Sequence, residues 1–437
     1  MNHYLDALRH STPYLRAGRV TRVSSLGLEA DGPDAHLAEV CEIESDPAGV
    51  RHKAEVVAVQ EGRVLLMPYG STHGIGVGSK VVATGEAPHV DIGPAALGRV
   101  VDAFGAPLDE GGAIPTRARM PLHPKPFNPL ARAPIERRMP TGVRALDALM
   151  PLGCGQRMGI FAGSGVGKSS LLGMLARGVQ ADVNVVALIG ERGREVQEFV
   201  RHNLDDAARR RTIVLAATSD QPAVIRARAA YAATAIAEYF RDQGANIFMM
   251  MDSITRFAMA RREIDLAAGQ PPTSRGYTPS VFTEIPALCE RCGALRNGGS
   301  ITAVYTVLVE GDDHNEPIAD ALRATLDGHV VLTRELAHQG HFPAIDVLQS
   351  VSRLESQLLA EPERRQQARL RSLLATHAKH REMVDMGLYK GGANPALDEA
   401  LAKLPALEYF LRQGLHDVSP LRATASLLAA ALKETST

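Results

Sequence analysis

Tryptophan is absent from the 437 residues, and aromatic residues together make up 4%. Proteins that hold single-stranded nucleic acid do so largely by stacking bases on aromatic rings, so a chain this poor in them lacks that platform. An excess of charge is missing too: 48 Lys and Arg stand against 49 Asp and Glu, leaving a formal charge of -1 and no basic footprint for a polyanion. Uninterrupted apolar runs are short, such as residues 247–251, far below the roughly 18 residues of a membrane-spanning helix. Met1-Asn2-His3-Tyr4-Leu5-Asp6 has no basic start, apolar middle and small-residue cleavage site, so a cytoplasmic protein is expected. Cysteine is scarce: Cys41, Cys154, Cys289 and Cys292 are too few and too scattered for a disulfide framework. Cys289-Glu290-Arg291-Cys292 is a lone CxxC, and the pairs His338/His341 and His377/His380 add no second half to a four-ligand zinc site. Reduced thiols in a helix are expected there.

What is present is an ordinary globular composition, 45% hydrophobic and 22% charged, in a chain longer than one core usually supports. Two or three domains are expected. From Gly18 to about Gly85, short β-type runs (18–20, 39–43, 54–59, 63–67 and 80–83) are broken by turn residues, as in a small β-barrel. Pro115, Pro121, Pro124, Pro126, Pro129, Pro134 and Pro140 then mark an extended connection over a domain surface, since proline continues neither a helix nor an interior strand. From about Thr141 apolar strands (157–161, 184–189, 212–216, 246–251 and 300–308) alternate with helical stretches, which is the pattern of an α/β domain with a largely parallel sheet. After Arg353 the pattern is helical, with Leu370, Leu373, Leu374 and His377 on one face and Leu397, Leu401, Leu404, Leu407 and Leu411 further on. The division expected is a barrel over 1–85, a nucleotide-binding domain over 86–355 and a helical domain over 356–437.

Ala162-Gly163-Ser164-Gly165-Val166-Gly167-Lys168-Ser169, followed by Ser170, lies between an apolar strand and a helix with Leu171, Leu172 and Leu175 on its buried face. This is the setting of a phosphate-binding P-loop. The glycines let successive N–H groups curl toward phosphate oxygens, and the helix N-terminus adds its positive end. Lys168 can then reach the β- and γ-phosphates of a nucleotide, and the Ser169 hydroxyl can ligate magnesium. The pattern departs from the strict form only in having Ala162 at the first position, one methyl larger than glycine.

Hydrolysis needs more than the loop. Residues 247–251 form an apolar run ending in Asp252, a carboxylate able to hold magnesium through its water shell. Between these lies Gly190-Glu191-Arg192-Gly193-Arg194-Glu195, a strand running into a charged turn. Glu191 there is placed either to polarise an attacking water or to join a solvated cluster of ion pairs. The residues alone leave both readings open.

Taken together, Gly190 to Glu195, Asp252-Ser253-Ile254-Thr255-Arg256-Phe257, Ser274-Arg275-Gly276-Tyr277, Gly299-Ser300-Ile301-Thr302 and Ser350-Val351-Ser352-Arg353 resemble the catalytic subunits of rotary ATPases. Tyr277-Thr278-Pro279-Ser280-Val281-Phe282, Tyr305 to Asp313 and Leu326-Asp327-Gly328-His329 resemble, more closely, the type III secretion ATPases of flagella and injectisomes. The likeness runs over nearly the whole chain. It implies an α/β fold with a RecA-like P-loop NTPase core, an N-terminal β-barrel and a C-terminal helical domain. It implies ATP and Mg2+ as ligands and Glu191 as the catalytic carboxylate. Arg192 and Arg256 would lie near the γ-phosphate, Asp252 would be the Walker B acid, and Arg353 the finger that reaches a neighbour's nucleotide. Phe342, in Gly340-His341-Phe342-Pro343-Ala344, stands where the family carries an aromatic against adenine, although an aromatic before proline also packs well with no ligand.

Rotary synthases divide catalytic glutamate and finger between two chains. One sequence carrying both implies a homohexamer of mutually completing sites. The partners implied are the stalk and regulatory proteins of a secretion apparatus and chaperone–substrate complexes. Nucleic acid is not among them, and contact with a membrane would be peripheral, at the cytoplasmic face of the inner membrane. Three alternatives stand beside this reading: a rotary ATP synthase or vacuolar-type subunit, a Rho-like RNA translocase, and an inactive nucleotide-binding scaffold. Between the two export systems the overall likeness leans to the injectisome.

Overall fold

Inward-facing apolar side chains alternate with outward-facing polar ones along six short strands near the N-terminus, and the strands close on themselves. The computed structural model describes residues 15–433 except 25, 46–49, 127 and 310–315. Strands β1 (Ala17–Val23), β2 (Leu28–Asp31), β3 (Val40–Ser45), β4 (Val50–Gln60), β5 (Arg63–Pro68) and β6 (Lys80–Ala83) form a closed barrel in the order β1-β2-β5-β4-β3-β6. Val20, Leu28, Ile43, Val56, Leu66 and Val81 fill it. Closure leaves the sheet no edge.

The proline-rich passage differs from the plain surface connection expected of it. β7 (His89–Ile92) pairs antiparallel with β9 (Ala118–Pro121), while β8 (Val100–Val101) joins the central sheet. Pro121 sits at the end of its strand, where its missing N–H is tolerated.

The central sheet runs β17-β16-β10-β15-β13-β11-β12-β8, with β14 (Gly293–Ala294) pairing off β15. Its middle strands are β10 (Arg157–Ala162), β11 (Val183–Ile189), β12 (Thr212–Ala217), β13 (Asn246–Asp252) and β15 (Ser300–Leu308), all parallel to their neighbours in this set. They read as continuous apolar runs because helices bury both faces. β16 (Gly328–Leu332) continues the parallel run, and β17 (Ile345–Ser352) turns back antiparallel at the edge.

Helices α1 (Arg144–Leu149), α2 (Lys168–Gly178), α3 (Gly193–Glu198) and α4 (Asp206–Arg210) precede the long α5 (Ala223–Arg241). Then come α6 (Ile254–Ala267), α7 (Pro279–Cys289), α8 (Pro317–Thr325), α9 (Arg334–His338) and α10 (Glu355–Leu358). α5 to α8 share a core with one face of the sheet, and α1 and α2 pack on the other. The C-terminal helices α11 (Glu361–Asp385), α12 (Pro395–Leu411) and α13 (Leu421–Leu432) join that second core through Leu370, Leu373, Leu407, Phe410 and Leu428. Each of the first two has a marked start: the Glu363 carboxylate accepts the Ala360 N–H (2.8 Å), and the Asn394 side chain accepts the Ala396 N–H (3.1 Å). All four cysteines are free and buried; Cys289 ends α7, whereas Cys292 lies in the turn beyond it, so only half of the CxxC is helical.

Candidate active site

β10 delivers Ala162 to the end of the sheet, and the chain turns through 163–167 into α2. Gly165 (φ 78°) and Gly167 (φ 90°) adopt left-handed backbone that a side chain would strain. The turn lets α2 begin at Lys168 with its N-terminus aimed into a cavity of about 640 Å³. Gly163, Ser164, Gly165, Gly167, Lys168, Ser169 and Ser170 line this cavity, and Val166 is the one loop residue that turns inward, 1% exposed, to anchor the loop in the core.

Two parallel strands carry the carboxylates to the same place. β11 ends at Ile189, and Gly190 (φ 70°) turns Glu191 into the cavity, its backbone tied to the next strand by Gly190 N–H to Ala217 carbonyl (2.7 Å). β13 ends at Asp252, 4% exposed. Lys168 Nζ donates to Asp252 Oδ1 at 2.5 Å and reaches Glu191 Oε1 at 3.5 Å. Three groups distant in sequence thus form one charged cluster.

The cluster sets its own protonation. Burial pushes the Glu191 carboxyl up to about 7, the Glu195 hydrogen bond and the Asp252 charge act in the same sense, and Lys168 opposes them. For Lys168 burial alone would depress the ammonium; Asp252 and Glu191 outweigh it and hold it above its ordinary value. Thr306 Oγ–H donates to Asp252 Oδ1 (2.7 Å), a contact that no motif in the sequence marks. Glu195, Ser219, Glu316 and Arg334 also line the loop cavity and were not anticipated as site residues.

Arg192 and Arg256 both line this cavity. Arg256, on the first turn of α6, packs its methylenes over Gly190, and its Nε is buried with no hydrogen-bond partner among the described residues. Arg192 is exposed at the N-cap of α3. Phe342 lies against the loop, its ring 3.5 Å from where a Gly167 side chain would begin, and remains 45% exposed. Its carbonyl accepts the Gln413 N–H (2.9 Å), so the segment after α12 packs behind it.

Arg353 is the candidate that its own chain keeps apart. Ser352 pairs with Gly328, at the end of the sheet where β10 begins, whereas the phosphate loop follows Ala162, level with Leu332. About four residues of strand, roughly 13 Å, separate those levels. Arg353 is exposed there and donates to the Arg323 carbonyl (2.8 Å).

As to magnesium, Ser169 and the Asp252 carboxylate line a second cavity, of about 300 Å³, which Glu191 also borders. Two hard oxygen donors beside a phosphate loop suit an ion that keeps most of its waters.

Three family models match in chain order. The ATP synthase alpha/beta family β-barrel domain covers 20–85, the nucleotide-binding domain of that family 142–352, and the T3SS EscN ATPase C-terminal domain 360–430. The flagellum-specific ATP synthase of Bacillus subtilis is 49% identical over 97% of this chain and 97% of its own length. The type 3 secretion system ATPase of Xanthomonas euvesicatoria is 48% identical over 94% of this chain and 93% of its own. The chain belongs to the type III export ATPases. Its fold agrees with that of the assembled ATPase EscN from the enteropathogenic E. coli type III secretion system, at a TM-score of 0.90 and 40% identity over 95% of this chain and all of that one. As a member of this family it is an ATPase related to the rotary ATP synthases. Of the motif Tyr305 to Asp313, residues 310–313 lie outside the described residues.

Proposed function

We propose that this export ATPase hydrolyses Mg-ATP at the interfaces of a homohexamer and uses the cycle to release chaperones from, unfold and export secreted proteins. The observation that carries the catalytic part is the meeting of Lys168, Glu191 and Asp252 at the mouth of the phosphate loop. Lys168 neutralises the β- and γ-phosphates, which compete with Asp252 for its ammonium. Ser169 and Asp252 hold magnesium, which when bound withdraws charge from the phosphate oxygens. Glu191, as a carboxylate, polarises the water that attacks the γ-phosphorus. Arg256 and Arg192 stabilise the charge developing on the transferred group, and Phe342 packs against the adenine.

The interface reading is supported by the placing of Arg353 away from the phosphate loop of its own chain. It is supported also by the EscN structures, one of an assembled ATPase and one of its complex with the central stalk EscO. In the division proposed, the barrel (1–85) forms one rim, the nucleotide-binding domain (86–355) carries the sites, and the helices (356–437) face a stalk, regulators and chaperone–substrate complexes. The work is done in the cytoplasm or at the cytoplasmic face of the inner membrane; among the described residues no helix is long and apolar enough to cross a membrane. The near-zero net charge and the scarcity of aromatics support a reading without nucleic acid. Flagellar and injectisome relatives match about equally, so the lean to the injectisome rests on no residue of the site.

Two variants test the catalytic assignment. Lys168→Ala is expected to abolish hydrolysis and weaken nucleotide binding strongly. Glu191→Gln is expected to keep nucleotide affinity while kcat falls by orders of magnitude, because the amide cannot polarise water as the carboxylate does. A Glu191→Gln enzyme that bound ATP poorly yet cleaved it normally would reduce Glu191 to an ion-pair residue.

A further inference from the structure

Among the described residues two side chains donate to the Asp252 carboxylate, and both reach the same oxygen. Lys168 Nζ and Thr306 Oγ lie 2.5 and 2.7 Å from Oδ1. They differ in what nucleotide does to them. Lys168 stands on the phosphate loop, where incoming phosphates draw its ammonium away from the carboxylate. Thr306 is fully buried in β15, a central strand paired with β10 on one side and β13 on the other. β13 and β15 run parallel with Met251 opposite Tyr305, which sets Thr306 level with Asp252. Its single hydroxyl proton has two acceptors in reach, Asp252 Oδ1 and the Met251 carbonyl at 3.2 Å. The carboxylate is nearer and charged, so it takes the stronger bond.

We propose that Thr306 is the positioning residue for Asp252. It holds Oδ1 in place once Lys168 has turned to the phosphates, and so keeps the carboxylate aimed at magnesium. The inference rests on the reading of Asp252 as the magnesium acid. A buried threonine that served only to satisfy the Met251 carbonyl would matter equally with and without the metal.

The test is the affinity of the ring for a fluorescent ADP analogue, measured with Mg2+ and in EDTA. Thr306→Val keeps the shape and removes the donor; Thr306→Ala removes the donor by another route and serves if the valine variant fails to fold. Both are expected to bind within about twofold of wild type in EDTA while losing roughly tenfold of the tightening that Mg2+ confers, the range for a lost partner behind a metal ligand. Thr306→Ser is expected to restore it. Asp252→Asn separates the two ideas. If it loses the Mg2+ effect while both hydroxyl-free Thr306 variants keep it, the role of Thr306 is overturned and the Asp252 reading stands. If Asp252→Asn itself keeps the effect, the magnesium reading falls and this proposal with it. Equal losses with Mg2+ and in EDTA at Thr306 also overturn it.

Discussion

In the mechanism proposed, Glu191 acts as a carboxylate, and its surroundings resist that ionisation. Burial first, then Glu195 and Asp252, raise its carboxyl to about 7 against Lys168. Because kcat/KM reports the free enzyme, an acid limb centred near pH 7 is expected in its pH profile, with activity lost as pH falls and Glu191 protonates. A flat profile between about pH 6 and 8 would count against Glu191 as the water-activating group. The same shift has a stability consequence. The native state binds this proton more tightly than the unfolded chain does, so the stabilisation is complete at low pH and is lost as pH rises through about 7. Glu191→Gln removes the burdened charge. Its melting temperature is expected to exceed that of wild type at about pH 8, and the gap to narrow as pH falls through about 7 and to close below about 4.5, as followed by circular dichroism across a pH series.

At the scale of elements, a buried arginine of α5 links that helix to the chain after the barrel and, through Tyr69, to the barrel itself. Arg228, 5% exposed, donates to the Ala103 carbonyl (3.2 Å) and to the His89 carbonyl, and lies 4.3 Å from the centre of the Phe104 ring. It also donates to Tyr69 Oη (3.3 Å), whose own hydroxyl donates to Glu55 on β4 (2.8 Å). Arg228→Ala strands these acceptors in a buried site and is expected to destabilise the chain by about 3 kcal/mol. Arg228→Lys is expected to recover only part, since an ammonium neither stacks on Phe104 nor spans two carbonyls. Denaturant melts of the three proteins check this; full recovery by lysine would mean that charge alone matters. No periodicity in the sequence marks Arg228 out, because it sits in a helix whose neighbouring residues are almost all alanine and apolar. By contrast β10, β11, β12, β13 and β15 could be located to within a residue, since strands buried on both faces are long apolar runs. β2, β16 and β17 escaped notice because they are short or edge strands whose polar residues blur the pattern.

For the whole molecule the decisive quantity is where Arg353 acts. A finger supplied by a neighbour is worth roughly 10³–10⁵ in rate in related phosphoryl transfers. Arg353→Ala is therefore expected to lower kcat far more than nucleotide affinity, and wild-type activity per subunit to rise with protein concentration as rings form. Mixing sharpens the point. Subunits with Glu191→Gln keep Arg353, and subunits with Arg353→Ala keep Glu191, so mixed rings are expected to regain activity at the interfaces where one intact half meets the other. Mixed hexamers that form and stay inactive would rule out action across the interface.

The order of chemistry along the chain, from barrel strands to phosphate loop, charged turn, Walker B strand and helical tail, is a local property. Glycine spacing, apolar runs and strand ends depend on neighbours in sequence, so the sequence alone determined them. It also named Lys168, Ser169, Glu191 and Asp252 as a set, by family likeness where spacing left Glu191 undecided. What only the tertiary structure decided is which side chains share that site. Thr306 meets Asp252 because β13 and β15 lie side by side in a given register, and Phe342 meets Gly167 from a segment far along the chain. Arg353 stands apart from its own phosphate loop because β17 runs antiparallel at the edge of the sheet. Strand register and direction are set by packing between segments distant in sequence, and a residue's own neighbours carry no record of it.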